Sequence, residues 1–259
     1  MLIIILTTLF SGINLGILGS FVIWNRIVNI GDSLAHALII TVIIESIIGI
    51  DQSCASIILA VLFVSFIHLL SNRRDSQNLN MIILSTSLVA ISILLSDSLD
   101  ISHKMNSFIV GDALNSSYLD MIVSFFTLIL LAIFIYNSLS KLVLISLSQE
   151  IAYVRGINVR VYRQILNLIL GITIAISIKI IGTILMVSLL IIPPAIANLY
   201  AKSPKSMINL SALFSSICCL ISVAISYKAD VPLSALYVTV LFAIYISSII
   251  IKNLLLHKS

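Results

Sequence analysis

The sequence predicts an all-α, polytopic membrane protein. Of its 259 residues, 60% are hydrophobic and only 9% are charged, and the mean hydropathy is +1.23. A soluble domain does not need that much apolar surface. A hydrocarbon core about 30 Å thick takes roughly 20 apolar residues of helix to cross, and stretches of this kind recur along the chain. They lack the regular alternation of barrel strands, so helices are the predicted form.

Polar breaks divide the chain into about nine apolar segments, each predicted to be a transmembrane helix. The first has no Lys or Arg before it and no cleavage pattern after it, so we expect it to be retained in the mature protein. No soluble domain interrupts the segments, and residues 1–259 are expected to form one membrane domain. The predicted spans are Leu2–Trp24, Leu34–Gly49, Ala55–Leu70, Met81–Ser96, Leu119–Leu139, Ile165–Ile178, Ile180–Leu199, Met207–Tyr227 and Leu233–Ile251.

The distribution of Lys and Arg predicts the orientation. Most of these cations fall on one side of the predicted spans, and the other side keeps Lys104, Lys179 and Lys228 with most of the Asp residues. By the positive-inside rule, the N-terminus lies outside and the C-terminus in the cytoplasm. The cations therefore anchor the chain at the lipid bilayer, and no basic patch interleaved with aromatic residues predicts nucleic-acid binding. The predicted cytoplasmic group is Arg26, Arg73, Arg74, Lys141, Arg155, Arg160, Arg163, Lys202, Lys205, Lys252 and Lys258.

Asp32 and His36 are the first candidate functional residues. They lie four residues apart in GDSLAHALII, so on a helix their Cβ atoms are about 5–6 Å apart on one face. A carboxylate and a neutral imidazole are ordinary ligands of zinc, and manganese accepts the carboxylate as readily. In the alternative interpretation, Asp32 caps a helix that begins near Ser33 and His36 packs in its first turns. Glu45, nine residues beyond His36, falls on the opposite face of a continuous helix.

The segment SQEIAYVRGINVRVYRQ, residues 148–164, is polar, basic and predicted to be cytoplasmic. Ile151, Val154 and Ile157 recur at helical spacing, and Gly156 interrupts the pattern. This predicts a short amphipathic helix that ends at a glycine. Such a helix either offers one face to a partner or only anchors the loops beneath the membrane.

Pro193 and Pro194 interrupt the apolar run that ends at Leu199. Two successive prolines remove two backbone donors, so a kink or break is predicted between Ile191 and Pro194. The carbonyl groups that lose their partners either face a cavity or belong to a static kink supported by neighbouring side chains.

Several classes of chemistry are excluded by what the sequence lacks. There is no GxxxxGK[ST] loop for the phosphates of ATP, no HExxH motif and no GxSxG motif. Cys54, Cys218 and Cys219 lack the spacing of a thiolate metal site, so we expect them to pack as small apolar residues. A transporter or channel remains the best interpretation, with its ionisable residues in the spans as the working parts.

Four stretches in order resemble the permease subunit of ABC importers for zinc, manganese and iron. They are GSFVIWNRIVNIGDSLAHALI, VGDALN, SQEIAYVRGINVRVYRQ and IKIIGTILMVSLLIIPPAIANLYAKSP. The resemblance covers nearly the whole chain and is greatest to zinc-uptake permeases. Manganese-type members sometimes carry a proline soon after the histidine, and its absence here slightly favours zinc.

The resemblance implies a homodimeric permease in the bacterial inner membrane, with no tightly bound cofactor. A separate ATPase subunit would drive it, and an extracytoplasmic metal-binding protein would supply the metal. It also implies that Asp32 and His36 are metal ligands of the pathway. Residues 148–164 would be the segment that couples to the ATPase, with Gln149, Glu150 and Gly156 in that role.

Two alternatives to an ATP-driven zinc importer follow from the residues. An importer of manganese or iron remains open, because an Asp/His pair serves all three metals. A proton-coupled secondary carrier would exchange protons for metal at Asp32 and His36 and would need no ATPase. An enzyme is a weaker interpretation, because the pair lacks a nucleophile or a complete metal triad.

Overall fold

A computed structural model describes residues 2–70, 74–112 and 116–256. Over these residues the regular structure consists of helices, and no strand occurs. The helices are α1 (Leu2–Asn25), α2 (Val28–Ala37), α3 (Ile40–Ile48), α4 (Gln52–Leu70), α5 (Arg74–Ser98), α6 (Ser102–Val110), α7 (Tyr118–Leu147), α8 (Gln149–Val154), α9 (Val159–Ile181), α10 (Thr183–Tyr200), α11 (Pro204–Ala229) and α12 (Leu233–Leu256). Arg73 and Lys258, two of the predicted cytoplasmic cations, lie outside the described residues.

Nine helical segments of the described chain are long and apolar enough to cross a membrane, which confirms the predicted number. The second of them, Val28–Ile48, consists of α2 and α3 together. It begins six residues before the predicted start at Leu34, so it brings Asp32 inside a candidate span. The short helices α6 and α8 lie between spanning segments.

Burial separates the inner helices from the outer ones. In α9, 72% of the most apolar window is buried within the chain, whereas the figure is 22% in α5, α7 and α12. The outer three therefore present most of their apolar side chains outward, to lipid or to another protein chain.

Local hydrogen bonds fix several helix ends. Ser117 and Asp120 form a capping box at the start of α7, in which each side chain accepts a hydrogen bond from the backbone N–H of the other residue. The Asn158 side chain caps α9, and the Ser203 side chain caps α11. These caps satisfy terminal N–H groups that have no partner within their own helix.

Small residues bring α1 close to α11 and α10. Ser215 Oγ on α11 donates a hydrogen bond to the carbonyl oxygen of Gly12 at 2.6 Å. Gly19 lies against the carbonyl group of Leu190 on α10, where a Cβ atom would overlap with the carbonyl oxygen. Close approach of backbones through small residues is a common way for helices to associate in membranes.

The predicted break at Pro193 and Pro194 does not occur, because α10 continues through both prolines from Thr183 to Tyr200. Pro194 has no N–H to donate to the carbonyl group of Leu190, its i−4 neighbour. That carbonyl group is the one that Gly19 approaches. The consequence of the prolines is thus a close contact with α1, formed where the helix has lost its own hydrogen bond.

Candidate functional site

Asp32 and His36 lie on α2, inside the second candidate span. The helix begins at Val28, and its N-cap, Ile27, makes no side-chain capping hydrogen bond. Asp32 is therefore in the second turn of the helix. The interpretation of Asp32 as the cap of a helix that begins near Ser33 is wrong.

The two side chains lie together on the exposed face of α2. His36 Nε2 is 3.4 Å from Asp32 Oδ1, and the side chains are 42% and 58% exposed, respectively. The opposite face, which includes Ile30 and Leu34, is buried, and α2 contacts α5, α9 and α10. The fold thus holds an acid and an imidazole at the surface of this chain, within a segment long and apolar enough to cross a membrane.

Packing against α10 fixes the orientation of this face. A Cβ atom at Gly31 would lie 2.7 Å from Leu190 Cδ2, closer than real contacts allow. Gly31 therefore lets α2 approach α10 closely, one residue before Asp32. The side chain of Leu190 contacts α2 and its carbonyl group contacts α1, so the proline-containing helix supports the helix that carries the Asp/His pair.

The helix is interrupted just after His36. The N–H of Ile39 donates to the carbonyl group of His36, and that of Thr41 donates to the carbonyl group of Leu38, so the turn is tightened to i→i−3 bonds. The Thr41 hydroxyl also donates to the carbonyl oxygen of Leu38 at 2.6 Å. Glu45 lies beyond this interruption on α3, so the prediction that placed it on one continuous helix with His36 is wrong.

The Asp/His pair provides two potential metal ligands from one chain. Carboxylate oxygen and imidazole nitrogen bind zinc at about 2.0–2.2 Å, usually in sets of three or four protein ligands. Within the described ranges, no group of three or more His, Cys, Asp or Glu residues is arranged to hold a metal ion. One described chain therefore supplies only part of a coordination shell.

The segment 148–164 contains the predicted short helix, α8, which runs from Gln149 to Val154. The Ser148 hydroxyl accepts a hydrogen bond from the Ile151 N–H and caps it. Ala152 is fully buried, whereas Tyr153 is 78% and Val154 86% exposed. The helix is fixed at one point and presents apolar side chains outward.

The predicted coupling residues lie at the start of α8 and just after its end. Gln149 and Glu150 form its first turn, and Glu150 is exposed. Gly156 follows the helix in the left-handed region, with φ +73°. This conformation suits glycine, and the chain turns there toward α9, which begins at Val159.

Sequence reasoning missed a polar cavity of about 290 Å³, formed by α3, α6, the end of α9 and the segment that precedes α4. Its charged lining residues are Glu45, Asp51, Lys104, Asp112 and Lys179. Lys179 also forms an ion pair with Asp120, which is buried and does not line the cavity; Lys179 Nζ is 3.1 Å from Asp120 Oδ2. Lys179 lies between two predicted spans and Asp120 at the start of another, which was a signal of such a pair, but the two residues are 59 positions apart in sequence.

Comparisons with known proteins identify similar chains over nearly the whole length. A model of the ABC 3 transport family matches residues 1–252. The high-affinity zinc uptake system membrane protein ZnuB of Buchnera aphidicola subsp. Schizaphis graminum is 32% identical, over 92% of this chain and 92% of that protein. The manganese import system permease protein ScaB of Streptococcus gordonii is 29% identical, over 88% of this chain and 82% of that protein.

Solved structures share the fold. PsaBC from Streptococcus pneumoniae, in complex with Fab, has a TM-score of 0.79 and 26% identity, over 95% of this chain and 89% of that chain. An inward-facing conformation of a putative metal-chelate type ABC transporter has a TM-score of 0.77 and covers 95% of this chain and 86% of that chain. At 20% identity, this second similarity concerns the fold alone.

Proposed function

Because this chain belongs to the ABC 3 transport family, we propose that it is the permease subunit of an ATP-driven importer of divalent metal, most specifically zinc. The relatives are membrane components of transport systems rather than enzymes. Zinc is favoured over manganese because the ZnuB proteins of Buchnera aphidicola subsp. Schizaphis graminum and Haemophilus influenzae are 32% and 30% identical to this chain, whereas ScaB of Streptococcus gordonii is 29% identical.

One observation carries the proposal: Asp32 and His36 lie 3.4 Å apart on an exposed face of a helix within a candidate membrane span. Ionisable side chains in a lipid environment cost about 2.5–3.5 kcal/mol each on insertion scales, so such residues usually face a polar pathway or a protein partner. A carboxylate and an imidazole in a pathway offer ligands to a passing cation. The described part of one chain supplies only two such ligands, so a single permease chain does not enclose the ion.

A second copy of the chain would complete the site. In a homodimer with twofold symmetry, each copy presents the same face to the axis. The Asp32 and His36 of one protomer would meet the same residues of its partner, giving four ligands, the usual number for zinc. The apolar faces of α5 and α12, which bury little of their surface within the chain, are available for this contact.

The helix α8 would transmit the action of the ATPase. It is short, held by the buried Ala152 and exposed at Tyr153 and Val154. Exposed apolar side chains at the cytoplasmic surface, such as Tyr153 and Val154, suit binding in a groove on a separate nucleotide-binding subunit. Glu150 and Gln149 stand at its first turn, and Gly156 provides the turn by which a displacement of α8 passes to α9.

The mechanism is alternating access in the inner membrane, with the N-terminus outside and the C-terminus in the cytoplasm. An extracytoplasmic metal-binding protein supplies the cation, and residues 1–259 act as one permease domain. ATP binding to the partner subunit moves α8, and the helices around the Asp/His pair exchange outward for inward exposure. The permease itself forms and breaks no covalent bond.

Uptake by reconstituted vesicles tests this function. The permease is assembled with its ATPase subunit and metal-binding protein, and accumulation of zinc and of manganese is measured with and without ATP. We expect ATP-dependent zinc uptake that is lost in the Asp32→Ala/His36→Ala variant while the complex still assembles. Uptake that is independent of the ATPase and follows a proton gradient would favour a secondary carrier instead.

A further inference from the structure

The polar cavity near the ends of α3 and α9, defined above by its lining residues, opens at the extracytoplasmic side in the proposed orientation. We call it the outer cavity. Among the described residues, three carboxylates and two ammonium groups line it: Glu45, Asp51, Asp112, Lys104 and Lys179. Taken alone, these groups have a formal charge of −1.

The position of the Lys179 ammonium group is fixed by contacts with two residues that do not line the cavity, Asp120 and Ser53. Its Nζ atom lies 3.1 Å from Asp120 Oδ2 and donates a hydrogen bond to Ser53 Oγ, also at 3.1 Å. The Lys179 side chain is 12% exposed and the Asp120 side chain 1% exposed. Contacts with α4 and α7 therefore hold Lys179 at one place on α9.

Asp120 is itself held firmly. Its Oδ2 accepts a hydrogen bond from the Ser117 N–H at 2.8 Å, within the capping box of α7. Its Oδ1 is buried and has no hydrogen-bond partner among the described residues. A buried ion pair with an unsatisfied oxygen is a poor source of stability, because desolvation offsets most of the attraction. A role in addition to stability would explain why the fold keeps it.

We propose that the Lys179–Asp120 ion pair sets the charge of the outer cavity so that it attracts the transported divalent cation. Asp120, which is buried outside the cavity, neutralises the charge of Lys179. The remaining charged groups of the described lining are three carboxylates and the ammonium group of Lys104, with a formal charge of −2. The cavity concentrates the cation without ligating it, since no metal-binding group of three such residues occurs in the described chain. Asp120 is a positioning residue that acts through Lys179.

This inference rests on the proposed function. It predicts that substitutions of the two members of the ion pair change the charge of the outer cavity in opposite directions. Asp120→Asn leaves the charge of Lys179 unmatched and makes the cavity less negative, whereas Lys179→Gln leaves the charge of Asp120 unmatched and makes it more negative. A unit charge roughly 8 Å from a divalent cation in water-like surroundings changes its local concentration by about two- to fivefold once salt screening is included.

The test is the initial rate of zinc-65 uptake into vesicles that contain the permease with its ATPase, at a fixed, sub-saturating amount of zinc-loaded binding protein. In about 0.1 M salt we expect Asp120→Asn to lower the rate about two- to fivefold and Lys179→Gln to raise it by a similar factor. The Asp120→Asn/Lys179→Gln double variant should return near the wild-type rate. In about 1 M salt, all ratios to wild type should approach one.

Two further variants keep the test decisive if Lys179→Gln does not assemble. Lys104→Gln removes an exposed ammonium group of the cavity without disturbing the buried pair and should also raise the rate. Lys228→Gln removes an exposed lysine from the end of α11, outside the cavity lining, and should leave the rate unchanged.

The outcomes separate the two proposals. If wild-type vesicles take up no zinc, the proposed function fails. If wild type transports zinc but Asp120→Asn and Lys179→Gln both lower the uptake rate by similar factors, at low and at high salt, the ion pair only stabilises the fold and this inference is overturned. An unchanged rate in Lys104→Gln at low salt overturns it as well.

Discussion

The contact between Gly19 and the carbonyl group of Leu190 offers the sharpest test of the packing. At Gly19, α1 approaches α10 where Pro194 has removed the helical partner of that carbonyl group. In Gly19→Ala, the added Cβ atom would overlap with the carbonyl oxygen and lie 2.9 Å from Pro194 Cγ. Neither obstacle is the end of a flexible side chain, so the two helices must separate.

The expected cost follows from two opposing effects. Overpacking in a close-packed interior costs about 1–3 kcal/mol, and a rigid backbone obstacle lies toward the upper end of that range. Alanine favours a helix over glycine by about 1 kcal/mol, which offsets part of the cost. The net loss is about 2 kcal/mol. At about 2–4 °C per kcal/mol for a chain of this size, Tm should fall by roughly 4–8 °C.

Thermal unfolding can be followed with a thiol-reactive fluorogenic dye. Cys218 and Cys219 are buried and Cys54 is exposed, so in a Cys54→Ser background the signal reports exposure of the buried pair. The matched control is Ser20→Ala, because Ser20 is fully buried next to Gly19 and its hydroxyl has no partner among the described residues. The control should keep the wild-type Tm. A Gly19→Ala protein with an unchanged Tm would refute the described contact of α1 with α10.

Three other substitutions have defined outcomes. Tyr237→Phe should lower Tm, because the fully buried hydroxyl donates to the Ser215 carbonyl oxygen at 2.8 Å and its loss costs about 1–2 kcal/mol; an unchanged Tm in the same dye assay would contradict this. Gly156→Ala should reduce ATP-dependent uptake more than Gly156→Asn does, because the φ of +73° suits Asn better than Ala; equal uptake would contradict this. Val154→Asp should leave Tm unchanged and weaken copurification of the ATPase, because Val154 is 86% exposed; undiminished copurification would argue against docking at α8.

The number of spans was predictable because it depends on length and hydropathy alone. Nine apolar segments of the sequence became nine candidate membrane spans of the described chain. The interruption after His36 was not predictable in the same way, since the local sequence contains neither Gly nor Pro. It coincides with the hydrogen bond from the Thr41 hydroxyl to the Leu38 carbonyl oxygen, a side-chain contact of the kind that competes with regular helix bonds.

Tertiary contacts explain the other differences. Pro193 and Pro194 predicted a kink or break from local rules. The break does not occur, and the continuous helix brings the Leu190 carbonyl group against Gly19, a residue far away in sequence. The short helix at 149–154 and its end before Gly156 were predictable because capping and glycine signals are local. The Lys179–Asp120 pair was not, because it joins the end of one span to the start of another.

The proposed metal site is tested most directly by the number of zinc ions that bind and by the atoms that coordinate them. We would measure the zinc content of the purified permease–ATPase complex, together with its zinc X-ray absorption spectrum, for wild type and for Asp32→Ala/His36→Ala. The account predicts one zinc per two permease chains, with oxygen and imidazole nitrogen ligands at about 2.0–2.2 Å, and its loss in the double variant. Sulfur ligands, or the same zinc content without Asp32 and His36, would contradict it.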